Sequence, residues 1–372
     1  MKITKLEFLS VRPRWVFLKV HTDEGLVGLG EPIVEGRART TIQAVQELEG
    51  WLVGQDPRRI EHLWQMMYRG TFYRGGPVLV SAISGIEQAL WDIFGQSVGL
   101  PVYQLLGGPT RRRIRMYAHC GWETPEKAAE AARAMVKRGF TALKTGFEGP
   151  VRIVDTPAFL DRCVAQFAAM REAVGNDIDI AVDCHGRFSP AMAIRLAREL
   201  EPYRPMFIEE PCLPENVDTM VTVARSTSIP IATGERLFTK WGFREVLEKQ
   251  AAVVLQPDLS HAGGLSECKK IAAMAETYYA AIAPHCPLGP IALAACLHLD
   301  AAIPNFLIQE HVTLGEGYLK QPFVVKDGYI DLPTAPGLGI ELDEEALRDK
   351  ITEPDWDTPR LYHKDDGSVA DW

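Results

Sequence analysis

Three carboxylates recur at equal steps along the chain: Asp183, Glu209 and Glu235 are each 26 residues apart, and each follows a short apolar run, IDIAV, PMFI and IPIATG. That interval is about one strand, one helix and two turns, which brings the three side chains out at the same end of neighbouring parallel strands. Converging acids cannot all stay ionised unless a cation sits among them, because each buried, unpaired charge costs several kcal/mol. With neither Cys nor His in the trio, a hard ion with oxygen ligands is expected, and Mg²⁺, one per subunit, suits that donor set.

The neighbouring strand ends carry the rest of the chemistry: Lys144, His185, Asp258, His285 and Glu310. A single strand-end Asp most often caps the next helix, and a single buried His is most often a satisfied core residue. A run of acids and histidines on consecutive strand ends is harder to explain that way. His185 lies two residues beyond Asp183, so on an extended strand end the two side chains share a face. His285, on the seventh apolar run, stands across a closed barrel of eight from His185, with Asp258 beside it to accept its Nδ1 proton. His285 is therefore the stronger candidate base. Glu310 either meets the oxygens of a ligand or pairs with an arginine at the barrel mouth. Lys144 and Arg236 supply cations beside the acids. Glu210 points away from Glu209 and reads as a structural ion pair, and His261 in SHAGG as part of a turn into a helix.

These side chains need a scaffold, and the chain supplies eight short apolar runs from about residue 113 onward: IRMYAH, FTALKT, IDIAVD, PMFIEE, IPIATG, AVVLQP, AAIAPH and NFLIQE, alternating with helical segments. Eight such units describe an α/β protein with a TIM-type parallel barrel. The helix after the eighth strand is missing, since 311–333 reads as loop and hairpin, so a modified (β/α)7β-like barrel is expected. Before it, alternating segments at 2–10 and 14–22 and the run GLVGLGEP predict an antiparallel sheet, followed by helices near 38–53, 58–69 and 79–98. The expected division is an α+β capping domain over 1–112, the barrel over 113–314, and a segment over 315–372 that packs back on the cap. Turn-rich stretches of the cap place Arg14, Glu35, Arg37, Tyr73 and Arg74 as candidate substrate contacts, with Lys144 from the barrel; Tyr73 and Arg74 could equally pack between domains.

Composition narrows the partners. At 372 residues, 47% hydrophobic and 24% charged, the chain is ordinary for a globular enzyme, and its net charge of −9 argues against a nucleic-acid surface. No continuous stretch reads as the roughly 18 apolar residues that cross a membrane, and LGPIALAACLHL at 288–299 reads as a buried barrel helix. The first residues alternate like a strand and show no cleavage site. Seven scattered cysteines, odd in number and without a CxxC pair, fit a reduced cytoplasm.

Longer motifs add a resemblance. GEPIVEGRART at 30–40, QDPRRI at 55–60, FYRGGP at 72–77, Asp183-Cys184-His185-Gly186-Arg187, ELEPYRPMFIEEP at 199–211, LQPDLSHAGG at 255–264 and APHCPLGPIALAACLH at 283–298 resemble the enolase superfamily, in its mandelate racemase branch, through nearly the whole chain. The resemblance implies Asp183, Glu209 and Glu235 as Mg²⁺ ligands, His285 with Asp258 as the base, and His185 as the acid. It also implies dehydration of a sugar acid, galactonate ahead of gluconate, fuconate or arabinonate, in a homo-oligomer. Lys144-Thr145-Gly146 departs from the Lys-x-Lys of relatives with a second-strand base. From the residues alone, a racemase, a metal-independent glycoside hydrolase with two barrel glutamates about 5 Å apart and a non-catalytic sugar-acid binder stay open.

Overall fold

The computed structural model describes residues 1–372 apart from Trp122 and Asp355. It begins with a three-stranded antiparallel sheet, β1 (Ile3–Val11), β2 (Trp15–Thr22) and β3 (Val27–Gly30), followed by helices α1 (Ala38–Leu52), α2 (Ile60–Arg69) and α3 (Pro77–Val98). Helix α3 opens on Pro77 and stops at Gly99, whose φ of 70° gives the left-handed C-terminal turn that glycine adopts without strain. Strand β3 lies so close to α3 that a Cβ at Gly30 would sit 1.8 Å from the Gly85 carbonyl oxygen. Close packing of backbone on backbone is thus written into the VGLG run.

Helix α3 corrects one sequence expectation. Its 22 residues are long and apolar enough to cross a membrane by length and composition, a property the sequence analysis assigned to no stretch. The interrupting Ser, Gly, Glu and Gln hid the run, and those residues are themselves buried. The helix is 78% buried over its most apolar window, enclosed by the cap sheet, α1, α2 and the barrel.

After a short helix α4 (Val102–Leu105), the run IRMYAH splits: β4 (Arg113–Arg115) pairs antiparallel with a late strand at Tyr329–Asp331, and β5 (Ala118–His119) enters the barrel. The barrel sheet then runs, all parallel, through β5, β6 (Ala142–Gly146), β7 (Asp179–Asp183), β8 (Ile208–Glu209), β9 (Ile231–Thr233), β10 (Val254–Leu255) and β11 (Ala281–Ile282). Phe306 to Gln309 fills the eighth place through isolated parallel bridges to Ile282 on one side and Met116 on the other. Helices α5 (Pro125–Lys137), α6 (Pro157–Val174), α7 (Pro190–Leu200), α8 (Val217–Ala224), α9 (Thr239–Glu248), α10 (Gly264–Glu276) and α11 (Pro290–Ala302) follow β5 to β11 in turn. The outgoing chain returns to the cap: Leu338 N–H donates to Asp92 of α3 at 2.8 Å, and Thr352 N–H to Ser10 of β1 at 2.9 Å.

Two buried acids of the cap fasten it to the barrel, and a third fastens it to the returning segment. Glu31 accepts from Gly289 and Ala292 N–H (2.7 and 2.9 Å) at the start of α11, and Glu87 from Leu265 and Ser266 N–H (2.8 and 2.9 Å) at the start of α10. Both exploit the unsatisfied donors and positive dipole end of a helix N-terminus. Asp92 joins β3 to the returning segment through Leu29 and Leu338.

Candidate active site at the barrel mouth

The barrel interior is layered by strand alternation. Tyr117, Ala142, Ala181, Phe207, Val254, Ala283 and Ile308 pack together as an apolar floor. Two residues further along the same strands stand His119, Lys144, Asp183, Glu209, Gln256, His285 and Glu310. Because side chains repeat with a period of two, the polar set projects inward directly above the floor. Glu235 breaks this parity. It follows Gly234, whose φ is 148°, and a Cβ there would meet the Gln256 backbone at 2.8 Å. The glycine turn lets the next residue join the inward layer.

Asp183, Glu209 and Glu235 each offer an oxygen within 4.8 Å of the others, a spacing that can hold one metal ion. Their electrostatics ask for it. Burial, then the charge of Asp183, pushes Glu209 up to about 8, and burial followed by Glu210 and Asp183 pushes Glu235 up to about 7. Added positive charge is what would keep both ionised at neutral pH. Lys144, only 3% exposed, supplies part of it: Nζ lies 2.9 Å from Glu209 Oε2, 3.3 Å from Asp183 Oδ2 and 2.8 Å from Glu310 Oε1. Lys144 also serves Glu310, so the four acids and the lysine carry a net three negative charges when ionised, which a divalent ion would reduce.

The two imidazoles flank this cluster from strands β7 and β11, four places apart in the sheet order. His285 Nδ1 lies 2.8 Å from Asp258 Oδ2, and its Nε2 is 3.3 Å from Glu235 and 3.9 Å from Glu310. Asp258 is itself fixed by Ser260 N–H at 2.7 Å. Burial works against a charged His285, but Glu235, Glu310 and Asp258 outweigh it and raise the ring well above its ordinary value. His185 Nε2 lies 3.2 Å from Asp183 Oδ2, and that carboxylate raises the ring to about 9. The route differs from the sequence expectation: β7 ends at Asp183, and His185 takes a left-handed φ of 50° instead of continuing the strand. Asp183 Oδ1 caps this turn by accepting from His185 N–H at 2.9 Å.

Among the described residues Glu310 meets no arginine. It accepts from Cys286 N–H at 2.8 Å and lies 2.9 Å from His119 Nε2, and its neighbours Lys144, His285 and His119 hold it ionised far below the usual range despite burial. His119 escaped the sequence analysis because IRMYAH read as one strand without a functional end; its place at the close of the first barrel run was the available signal. Glu210 pairs with Arg236, so this arginine is spent on a structural contact that also reaches the His185 carbonyl at 3.3 Å. His261 links domains through Ser81 at 2.9 Å and also borders the cavity.

The cavity over these groups measures about 760 Å³, within the range of small-molecule clefts. Arg14 and Glu35 reach it from the cap, paired at 2.7 Å, and Arg14 donates to Pro287 O at 3.0 Å, just past His285. Arg37 lies instead on a separate cavity of about 360 Å³. Tyr73, 81% exposed, and Arg74, which faces the Tyr68 ring, stand outside the main cavity. Trp372 lines it from the far end of the sequence, a contact the sequence analysis did not anticipate.

Family models match both parts of the chain: the mandelate racemase / muconate lactonizing enzyme N-terminal domain over 8–107 and the enolase C-terminal domain-like family over 127–346. The chain belongs to the enolase superfamily. Within the superfamily, it is 51% identical to the D-galactonate dehydratase of Ralstonia pickettii and 48% identical to that of Pectobacterium atrosepticum, each over 100% of both chains. Among solved structures it resembles a member of the enolase superfamily from Salmonella Typhimurium (TM-score 0.88, 35% identity, 94% of this chain and 98% of that one). It also resembles a mandelate racemase/muconate lactonizing enzyme-like protein from Roseovarius sp. TM1035 (TM-score 0.90, 37% identity, 96% and 98%).

Proposed function

We propose that this chain is a hydro-lyase that removes water from D-galactonate to give 2-dehydro-3-deoxy-D-galactonate. The observation that carries the reading is a carboxylate-backed imidazole, His285 with Asp258, against Glu235 of the acidic trio and a second imidazole, His185, against Asp183 of the same trio. Similarity to D-galactonate dehydratases along the full chain supports the choice of substrate.

Asp183, Glu209 and Glu235 would hold Mg²⁺, which when bound supplies positive charge for the substrate carboxylate as negative charge grows on it. Asp258 holds His285 with Nδ1 toward the carboxylate, and Nε2, which lies 3.3 Å from Glu235, is the atom that would take the proton from C2 of the sugar acid once a cation engages Glu235. His185, on the other side, gives a proton to the departing C3 hydroxyl. Water leaves, and the enol rearranges to the 2-keto acid. Lys144 keeps Asp183, Glu209 and Glu310 together and limits their mutual repulsion. Glu310, ionised and near His285, stabilises the ring once it carries the extra proton. Arg14 and Glu35 of the cap face the polyol end of the substrate.

In this reading residues 1–112 act as the cap, 113–314 as the barrel and 315–372 as the returning segment. All seven cysteines are buried and unpaired, which suits a reducing compartment, so the cytoplasm is the proposed setting, with a homo-oligomer as the proposed assembly. Incubation with Mg²⁺ and a panel of aldonates, followed by semicarbazone absorbance, tests the reading. Keto acid should form from D-galactonate; a folded protein that binds Mg²⁺ and yields keto acid from none of them would refute it.

A further inference from the structure

The last part of the chain supplies part of the wall of the main cavity. Pro359, Leu361 and Trp372 line it there, beside Val312 from the barrel. Trp372 is held at this spot from several sides. A two-stranded hairpin, Leu361–Tyr362 with Val369–Ala370, leads into it. Arg152, in the loop after β6, pairs with Asp365 and Asp366 at the tip of that hairpin. The Trp372 ring lies 6.2 Å from the His185 ring and 6.3 Å from that of Trp356, which carries the Arg14 guanidinium 4.8 Å above it. The indole is 40% exposed although flanked by these groups. Trp372 is thus both part-exposed and among the residues that line the cavity.

We propose that Trp372 is a specificity-determining residue that touches the substrate, its indole forming the surface on which the polyol tail of the sugar acid lies. The inference rests on the reading of the site given above and extends it to the end of the substrate that does not react. An aldonate has one charged end and one neutral end. The charged end belongs with the trio and Lys144, so a chain of six carbons running away from them past His185 meets the Trp372 side. A polyol presents C–H faces as well as hydroxyls, and an indole offers a large rigid apolar face with a single N–H donor at small cost in side-chain entropy. Such a contact is made equally in the ground state and the transition state, so it sets KM more than kcat.

The test compares wild type, Trp372→Ala and Trp372→Phe with D-galactonate as substrate, and measures Mg²⁺ binding by calorimetry without sugar acid. Wild-type turnover establishes the underlying reading first. For Trp372→Ala, KM should rise about tenfold with kcat within about threefold, as for loss of a uniform binding contact. Trp372→Phe, which keeps an aromatic face, should return KM to within about threefold of wild type. Mg²⁺ affinity should be the same in all three. An unchanged KM in Trp372→Ala, equal loss in the Ala and Phe variants, or a kcat loss accompanied by weakened Mg²⁺ binding would overturn the assignment while leaving the dehydratase reading intact. A wild-type protein without activity on D-galactonate would remove the reading, and this inference with it.

Discussion

The Nδ1 atom of His285 sits 2.8 Å from Oδ2 of Asp258, an acid that Ser260 N–H holds from its other oxygen. The ring is thereby oriented, and only Nε2 is available to the cavity. Asp258→Asn keeps the shape of the pair but removes the charge that stabilises a protonated ring. Turnover should fall by about 100-fold, within the range that positioned acid–base groups contribute. Stopped assays on the purified variant, with Mg²⁺ affinity measured alongside, check this; a rate within a few-fold of wild type would show that Asp258 does not support the base.

Cation binding should stabilise the fold. Mg²⁺ at a hundredfold excess over its Kd should add about 2.7 kcal/mol, read as a higher melting temperature. In Glu235→Gln the response should disappear. The variant without metal should melt no lower than wild type without metal, because burial and the charges of Glu210 and Asp183 already oppose ionisation at this position. Calorimetric melts with Mg²⁺ and with EDTA measure both quantities.

Arg236, 34% exposed where it lines the cavity, pairs with Glu210, which is fully enclosed. Arg236→Met leaves that carboxylate without its partner and should destabilise the protein by about 3–5 kcal/mol, the range for breaking such a pair from one side. Denaturant unfolding monitored by circular dichroism is the measurement.

How much of this was legible in the sequence depended on what fixed each residue. The clustering of the acidic trio and the two histidines was legible because a repeating strand–helix unit delivers its strand ends at nearly constant spacing. Glu235 kept that spacing only because Gly234 shifts the side-chain parity by one. The turn at His185 was hidden, since a short apolar run does not reveal where the strand stops. His119 was missed because β4 and β5 divide one apolar run between two sheets. Trp372 and the clasps at Glu31, Glu87 and Asp92 are long-range tertiary contacts with no periodic signal. In the cap, the turn chemistry around FYRGGP suggested a loop near the mouth, and the chain places Tyr73 and Arg74 outside the cavity.

The Glu31 clasp predicts a pH dependence. Burial raises its carboxyl from 4.5 to about 8 against the pull of the Ala292 and Gly289 N–H groups. A raised folded value means that the contribution is fully present below the unfolded value and is lost as pH rises through the folded one. Between these limits each bound proton contributes a slope of about 1.4 kcal/mol per pH unit. Glu87 and Asp92, raised to about 7 and about 6 by burial, act in the same direction. Stability should therefore decline from mildly acidic toward alkaline pH, and Glu31→Gln should flatten the decline, as followed by melting temperature across pH.

The assignment of His285 as base and His185 as acid, beside a cation held by the trio, is tested most directly by proton NMR of D-galactonate in D₂O with Mg²⁺. In His185→Asn the C2 proton should exchange with solvent while keto acid forms slowly or not at all. In His185→Asn/His285→Asn that exchange should vanish. Exchange that persists in the double variant, or that is absent in His185→Asn while dehydration continues, would contradict the account.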